Sequence, residues 1–167
     1  MMMKPNKLND VVASALNARI GDEFTAHYFY NAAHNWCMDK NYKTAAAFFA
    51  GETASELEHA QKLQKYVIDW NSNVVIPTVD MNFEFTSLPD IIEKAYRLEL
   101  DLFNKYMKDS QAIFAIDLAT FDFLQGFRQI QTDSVIEYSD LLAALELIDV
   151  NSKLDILHFE ELYLGEG

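Results

Sequence analysis

Gly51-Glu52-Thr53-Ala54-Ser55-Glu56-Leu57-Glu58-His59-Ala60 lies in the middle of a breaker-poor run covering residues 44–70. Wound into a helix, this run puts Glu56 and His59 on one face, about a turn apart. The same face reads Phe49, Glu56, Leu63, Trp70 in steps of seven, an apolar seam of the kind a helix buries. A carboxylate and an imidazole thus stand at a level where leucine is expected. One Glu-x-x-His pair arises often by chance, and alone it reads as a solvated pair or a satisfied core histidine. The deciding question is whether other segments interrupt their seams in the same way.

The chain predicts four long helices. The first begins between Asn6 and Asp10 and runs to about Met38, with Val12, Leu16, Ile20, Glu23, Tyr30 and Ala33 on its inner stripe. The polar break Asp39-Lys40-Asn41 is so short that the second helix, residues 42–70, must return antiparallel. Asn71-Ser72-Asn73 then leads into residues 74–86, which carry Pro77 and the alternating Phe83 and Phe85. A connection of about 17 residues at roughly 3.3 Å each can span the length of a helix of some 26 residues rising about 1.5 Å apiece. It reads as a crossover that makes the third helix parallel to the second. Ser87 as N-cap and Pro89 in the first turn start that third helix, which is expected to reach about Ser110. Asp117 caps the fourth, which extends to about Leu147, and residues 153–164 form a short fifth ending at Gly165. The expected fold is all-α: a single domain, residues 1–167, built as a four-helix bundle with one long crossover and a C-terminal helix.

Each long helix breaks its seam once, near its middle. The trios are Leu16, Glu23, Tyr30; Phe49, Glu56, Leu63; Ile92, Glu99, Tyr106; and Leu124, Gln131, Tyr138. Seven residues make nearly two full turns, so each trio lies close to one line. Packing the seams together brings Glu23, Glu56, His59, Glu99 and Gln131 to one level inside the bundle. Taken singly, Glu23 and Glu99 read as surface residues, Gln131 as a core amide and Tyr30 as a core aromatic with its hydroxyl paired. Together, at one height on four helices, they read as a site. His27, one turn from Glu23, is read as a packing histidine, and His34 and His158 as peripheral.

A buried carboxylate without a partner costs several kcal/mol even after relaxation. Three together must take up protons, find cations or bind metal. The seams offer no lysine at this level, and Arg19 can neutralise one acid, not three. Two divalent cations would satisfy the cluster, with Glu56 placed to bridge them, Glu23 and His59 on one ion and Glu99 on the other. The second ion is left short of protein ligands. Carboxylates with one imidazole and no thiolate suit iron or manganese better than structural zinc.

Composition agrees. Half of the 167 residues are hydrophobic, with 5 Gly and 3 Pro, as in a helical globular protein. A formal net charge of −13 argues against nucleic acid or an anionic membrane as partner. No apolar run approaches the ~18 residues of a membrane span. The single cysteine, Cys37, fits a reducing compartment. With no export signal in residues 1–6, a cytoplasmic location is expected.

These residues resemble the non-haem ferritins over nearly the whole chain. The likeness is carried by residues 16–24 (Leu-Asn-Ala-Arg-Ile-Gly-Asp-Glu-Phe), by Phe48-Phe49 through Glu56-Leu57-Glu58-His59-Ala60, by Tyr96-Arg97-Leu98-Glu99, and by Phe123-Leu124-Gln125 through Gln131. The resemblance implies a ferroxidase centre in each subunit, with Glu23, Glu56 and His59 holding a first iron and Glu56 with Glu99 a second. Gln131 would lie beside the second ion, and Tyr30 would be the nearby tyrosine, a candidate electron donor. Such ferritins form hollow twenty-four-subunit shells, oxidise Fe(II) with dioxygen and store a ferric mineral.

Departures from the family pattern narrow the expectation. Gln131-Thr132-Asp133-Ser134 replaces the second Glu-x-x-His of symmetric di-iron relatives. Leu57 stands where haem-binding relatives place methionine, so no haem is expected. Ser55, Ile130 and Ser134 replace the carboxylates of a third iron site, which is therefore not expected either. Phe121 and Leu124 stand where animal and plant chains line threefold channels with acids, leaving Asp117 and Asp122 as candidates on the route of iron, with solvated residues as the plainer reading. Two alternatives are kept: a non-catalytic shell subunit, which would lose these ligands, and a twelve-subunit mini-ferritin protecting against iron and peroxide. The latter often carries a basic tail, whereas Lys4 and Lys7 are the only lysines at this N-terminus.

Overall fold

The computed structural model describes residues 6–165; of the opening read above for an export signal, residues 1–5, Lys4 among them, lie outside the described residues. Five helices follow one another: α1 (Asp10–Asp39), α2 (Lys43–Asp69), α3 (Leu88–Phe114), α4 (Leu118–Leu145) and α5 (Lys153–Tyr163). The third helix runs a turn beyond Ser110, because Ser110 and Ile113 still face the interior.

Local chemistry sets the ends. Asn9, Ser87, Asp117 and Ser152 each accept a hydrogen bond from a backbone N–H of the first turn that follows. The first two helices stop alike. After α1, Asn41 takes a left-handed φ of 62°, with Tyr42 N–H donating to Cys37 O at 2.9 Å and Asn41 N–H to Met38 O at 3.2 Å. After α2, Asn71 has φ 55°, with Ser72 N–H donating to Val67 O at 3.0 Å and Asn71 N–H to Ile68 O at 2.9 Å. Asparagine tolerates this conformation better than most residues, and the paired bonds satisfy the last carbonyls. The α2 N-terminus has no side-chain cap of its own. Its Ala45 N–H donates instead to the buried Glu160 Oε2 of α5 at 2.9 Å, which ties the fifth helix across that end.

α1 packs on α2 and α3, and α3 on α4. The core falls into two apolar clusters. One contains Ala33, Phe49, Ile92 and Leu141, and the other Leu16, Leu63, Tyr106 and Leu124. Between them, on all four helices, lies the polar level of Glu23, Glu56, Glu99 and Gln131, each at most 3% exposed. Trp70, read as the end of the α2 seam, is only half-buried, since it stands at the C-cap where the bundle opens.

The crossover is strapped to α1. Asn17 donates through Nδ2 to Asn73 O at 3.1 Å and accepts from Val75 N–H at 2.9 Å. Phe83 and Phe85 meet Phe29 edge-on at 5.3 Å. Gly21 lets Pro77 come close: a Cβ there would sit 2.3 Å from Pro77 Cγ. Alanine in a helix gains up to about 1 kcal/mol over glycine, but overpacking costs ~1–3 kcal/mol. Gly21→Ala should therefore lower the melting temperature and expose residues 74–86 to proteolysis. Gly51→Ala, with nothing within 4 Å of its added Cβ, should leave stability equal or raised. Thermal melts and limited proteolysis of the two variants check the contrast.

Candidate metal centre

The polar level is built from all four long helices. α1 contributes Glu23 and Tyr30, α2 Glu52, Glu56 and His59, α3 Glu99 and Tyr106, and α4 Gln131 and Tyr138. Glu23, Glu56 and His59 offer ligand atoms that all lie within 4.8 Å of one another, and so do Glu52, Glu56 and Glu99. Glu56 belongs to both groups.

Hydrogen bonds orient the acids. His59 Nδ1 is 3.1 Å from Glu56 Oε2 and 3.6 Å from Glu23 Oε2. Tyr30 donates to Glu99 Oε1, and Gln131 Nε2 donates to Glu99 Oε2 at 2.8 Å and to Glu99 O at 3.3 Å. Tyr106 donates to Glu23 Oε1 and Tyr138 to Glu52 Oε2, the latter at 3.3 Å. Glu23 Oε2 is buried and has no hydrogen-bond partner.

The charge balance at this level is one-sided. Arg19, the cation expected to reach one acid, pairs instead with Asp22 at 3.0 Å and Asp109 at 3.2 Å. Lys105 pairs with Asp22 at 3.2 Å and Asp101 at 2.7 Å. Both cations are held on the α1–α3 flank by aspartates, leaving His59 as the cationic group among the four glutamates. Burial therefore raises the carboxyls: Glu52 to about 7, Glu56 well above its ordinary range, and Glu99 upward despite its donors Tyr30 and Gln131. Burial works against a charged His59 ring, but the neighbouring Glu23 and Glu56 outweigh it and lift the imidazolium to about 10. Burial also pushes Tyr30, Tyr106 and Tyr138 well up, so all three are neutral donors. A bare buried acceptor beside raised carboxyls is the electrostatic condition that a divalent cation relieves. Oxygen donors with one imidazole suit iron or manganese.

The structure brings Glu23, Glu56, His59, Glu99, Gln131 and Tyr30 together at this level. Glu52 is an addition. It stands four residues before Glu56, one turn along the same face, and that spacing could have found it; the step-of-seven seam passes over it. His27 Nδ1 contacts Thr53 O and His34 Nδ1 contacts Ala46 O, both at 2.8 Å, so both rings link α1 to the α2 backbone. His158 is exposed. Leu124 is buried in the core rather than lining a surface. Asp117 is committed to its cap, accepting from Thr120 N–H at 2.9 Å and from Thr120 Oγ1 at 2.6 Å. Asp122 is exposed.

Comparison with known proteins bears on the family and the fold. The ferritin-like domain family matches residues 13–148. A probable bacterial non-heme ferritin-like protein of Haemophilus influenzae is 26% identical over 148 residues, covering 87% of this chain and 90% of that one. The bacterial non-heme ferritin of Campylobacter jejuni is 28% identical over 144 residues, covering 84% and 86%. Among solved structures, an engineered closed form of the Archaeoglobus fulgidus ferritin superposes with a TM-score of 0.88 over 96% of this chain and 99% of that one, at 20% identity. With the family model matched over residues 13–148, across α1 to α4, the chain belongs to the ferritin family.

Proposed function

We propose that the chain is an iron-storing ferritin subunit that oxidises Fe(II) with dioxygen at the buried level and delivers ferric iron to a mineral inside a hollow shell. The observation that carries this reading is the sharing of Glu56 between two ligand groups, each drawn within 4.8 Å, in an interior whose nearby cation is one imidazole. Glu23, Glu56 and His59 hold one Fe(II), and Glu52, Glu56 and Glu99 the other. The two ions would supply one electron each to dioxygen, which takes up two protons and leaves as hydrogen peroxide, with both ions ferric. Gln131 and Tyr30 orient Glu99 by donating one hydrogen bond to each of its carboxylate oxygens, and the neutral Tyr30 hydroxyl is the candidate donor of a further electron to the peroxide. His59 yields its proton as metal arrives, because an imidazole ligates only when neutral.

Apolar side chains stand exposed at both ends of the bundle, including Phe114, Ile116 and Leu118 at one and Leu147, Leu154 and Leu162 at the other. That surface supports contacts between copies and assembly of a twenty-four-subunit shell. The retained ligands disfavour a non-catalytic shell subunit, and the fifth helix with a within-chain ligand set disfavours the mini-ferritin. Net charge of −13 disfavours nucleic acid as partner. No described helix is long and apolar enough to cross a membrane, and a cytoplasmic location is proposed.

Glu56→Ala and His59→Ala should each slow Fe(II) oxidation in aerated buffer by at least ~10-fold, followed as the appearance of ferric absorbance, while the elution volume of the assembled shell is unchanged. A double variant as fast as its parent would place catalysis elsewhere.

Proton linkage is a second check. Glu52 and His59 hold protons in the metal-free fold up to about 7 and about 10. A divalent ion must displace them, so anaerobic Zn(II) uptake should release protons and tighten as pH rises from about 6 to about 8, read with a pH dye in weak buffer. Metal-free stability has the opposite sign. Glu52 binds its proton more tightly folded than unfolded, so its contribution is present below 4.5 and is lost as pH rises through about 7. Thermal melts should show that loss in the parent, less of it in Glu52→Gln, and recovery on adding Zn(II).

A further inference from the structure

Two of the three tyrosines in the polar level, Tyr106 and Tyr138, have no role in the reading above. Both are fully buried, and each donates its hydroxyl to a carboxylate on another helix. Tyr106 reaches from α3 to Glu23 Oε1 on α1, and Tyr138 from α4 to Glu52 Oε2 on α2. Their rings cannot wander. Tyr106 stacks on Phe127 at 5.4 Å, and Tyr138 stacks on Tyr30 at 6.1 Å with Phe48 edge-on at 6.4 Å. A fixed ring fixes the hydroxyl, and a fixed hydroxyl selects one oxygen of a carboxylate.

The consequence is visible at Glu23. With Oε1 taken by Tyr106, the other oxygen, Oε2, lies bare in the interior on the His59 side. A buried acceptor without a partner costs ~1–3 kcal/mol, and the fold holds it open toward a place where a ligand atom is wanted. Glu99 differs, since both of its oxygens accept, one from Tyr30 and one from Gln131; each oxygen keeps a further lone pair. Glu56, the shared acid, is the one held by His59.

We infer that Tyr106 and Tyr138 are positioning residues, one for each half of the metal centre: Tyr106 aims Glu23 into the Glu23–Glu56–His59 group, and Tyr138 holds Glu52 in the Glu52–Glu56–Glu99 group. The inference rests on the metal-centre reading above. Phenylalanine keeps the ring and its stacking and removes only the donor, so the substitution separates aiming from packing.

The experiment is anaerobic titration with Co(II), followed by its visible spectrum. His59→Ala and Glu52→Gln serve as references that mark which bands belong to which ion. The parent should bind two Co(II) per chain. Tyr106→Phe should weaken the ion marked by His59 by ~10–100-fold and alter its bands while sparing the other, and Tyr138→Phe should do the reverse. Combining Tyr106→Phe with Glu23→Gln should add little to Glu23→Gln alone, since the hydroxyl acts through that acid. Parental affinity and spectrum in both variants overturn the inference while leaving the metal centre standing. Equal weakening at both ions, or a lowered melting temperature that accounts for it, marks general loosening and overturns it as well. A parent that takes up no Co(II) overturns the metal-centre reading and this inference together.

Discussion

Four carboxylates share the interior of one helical bundle with a single imidazole as their near cation, and most of the rest of the architecture serves to make that tolerable. Each buried acid forfeits hydration worth several kcal/mol, and burial pushes Glu52, Glu56 and Glu99 toward their protonated forms. The bundle answers with neutral donors rather than with lysines or arginines. Tyr30, Tyr106, Tyr138 and Gln131 each supply one N–H or O–H from a neighbouring helix. Neutral donors hold a carboxylate in place without cancelling its charge, so the site keeps its attraction for divalent ions. Arg19 and Lys105, which would cancel it, are kept on the flank by Asp22, Asp101 and Asp109.

A layer of this kind must be held by its surroundings, because its own energetics are unfavourable without metal. The two apolar clusters above and below it supply the hydrophobic burial that keeps the four helices together. Aromatic stacking brings that packing into the site itself: Tyr30 lies between Phe49 and Tyr138, each at 6.1 Å, and Tyr106 lies against Phe127 at 5.4 Å. The position of each hydroxyl is thus inherited from the core, and a change of packing one turn away would be felt at a carboxylate.

The crossover and the fifth helix work at longer range. Because the connection runs the length of the bundle, α3 lies parallel to α2, and Glu99 arrives at the same height as Glu56. The Asn17 clamp and the Gly21–Pro77 contact hold that connection on α1. Glu160 closes the far end by taking the Ala45 N–H that α2 cannot cap for itself, a favourable place for a carboxylate at a helix N-terminus.

Helix periodicity, caps and breakers are local properties. For that reason the sequence alone determined the five helices, the long crossover, and the coincidence of Glu23, Glu56, His59, Glu99 and Gln131 at one height. Spacing in steps of seven cannot say which donor faces which acid, since that depends on how four helices are rotated about their own axes. Only the tertiary structure decided that Arg19 turns to Asp22 and Asp109, and that the tyrosines of α3 and α4 reach acids on α1 and α2. The contacts of Arg19 with Asp109, Tyr106 with Glu23 and Tyr138 with Glu52 join residues 90, 83 and 86 positions apart, and no periodicity along one helix encodes them.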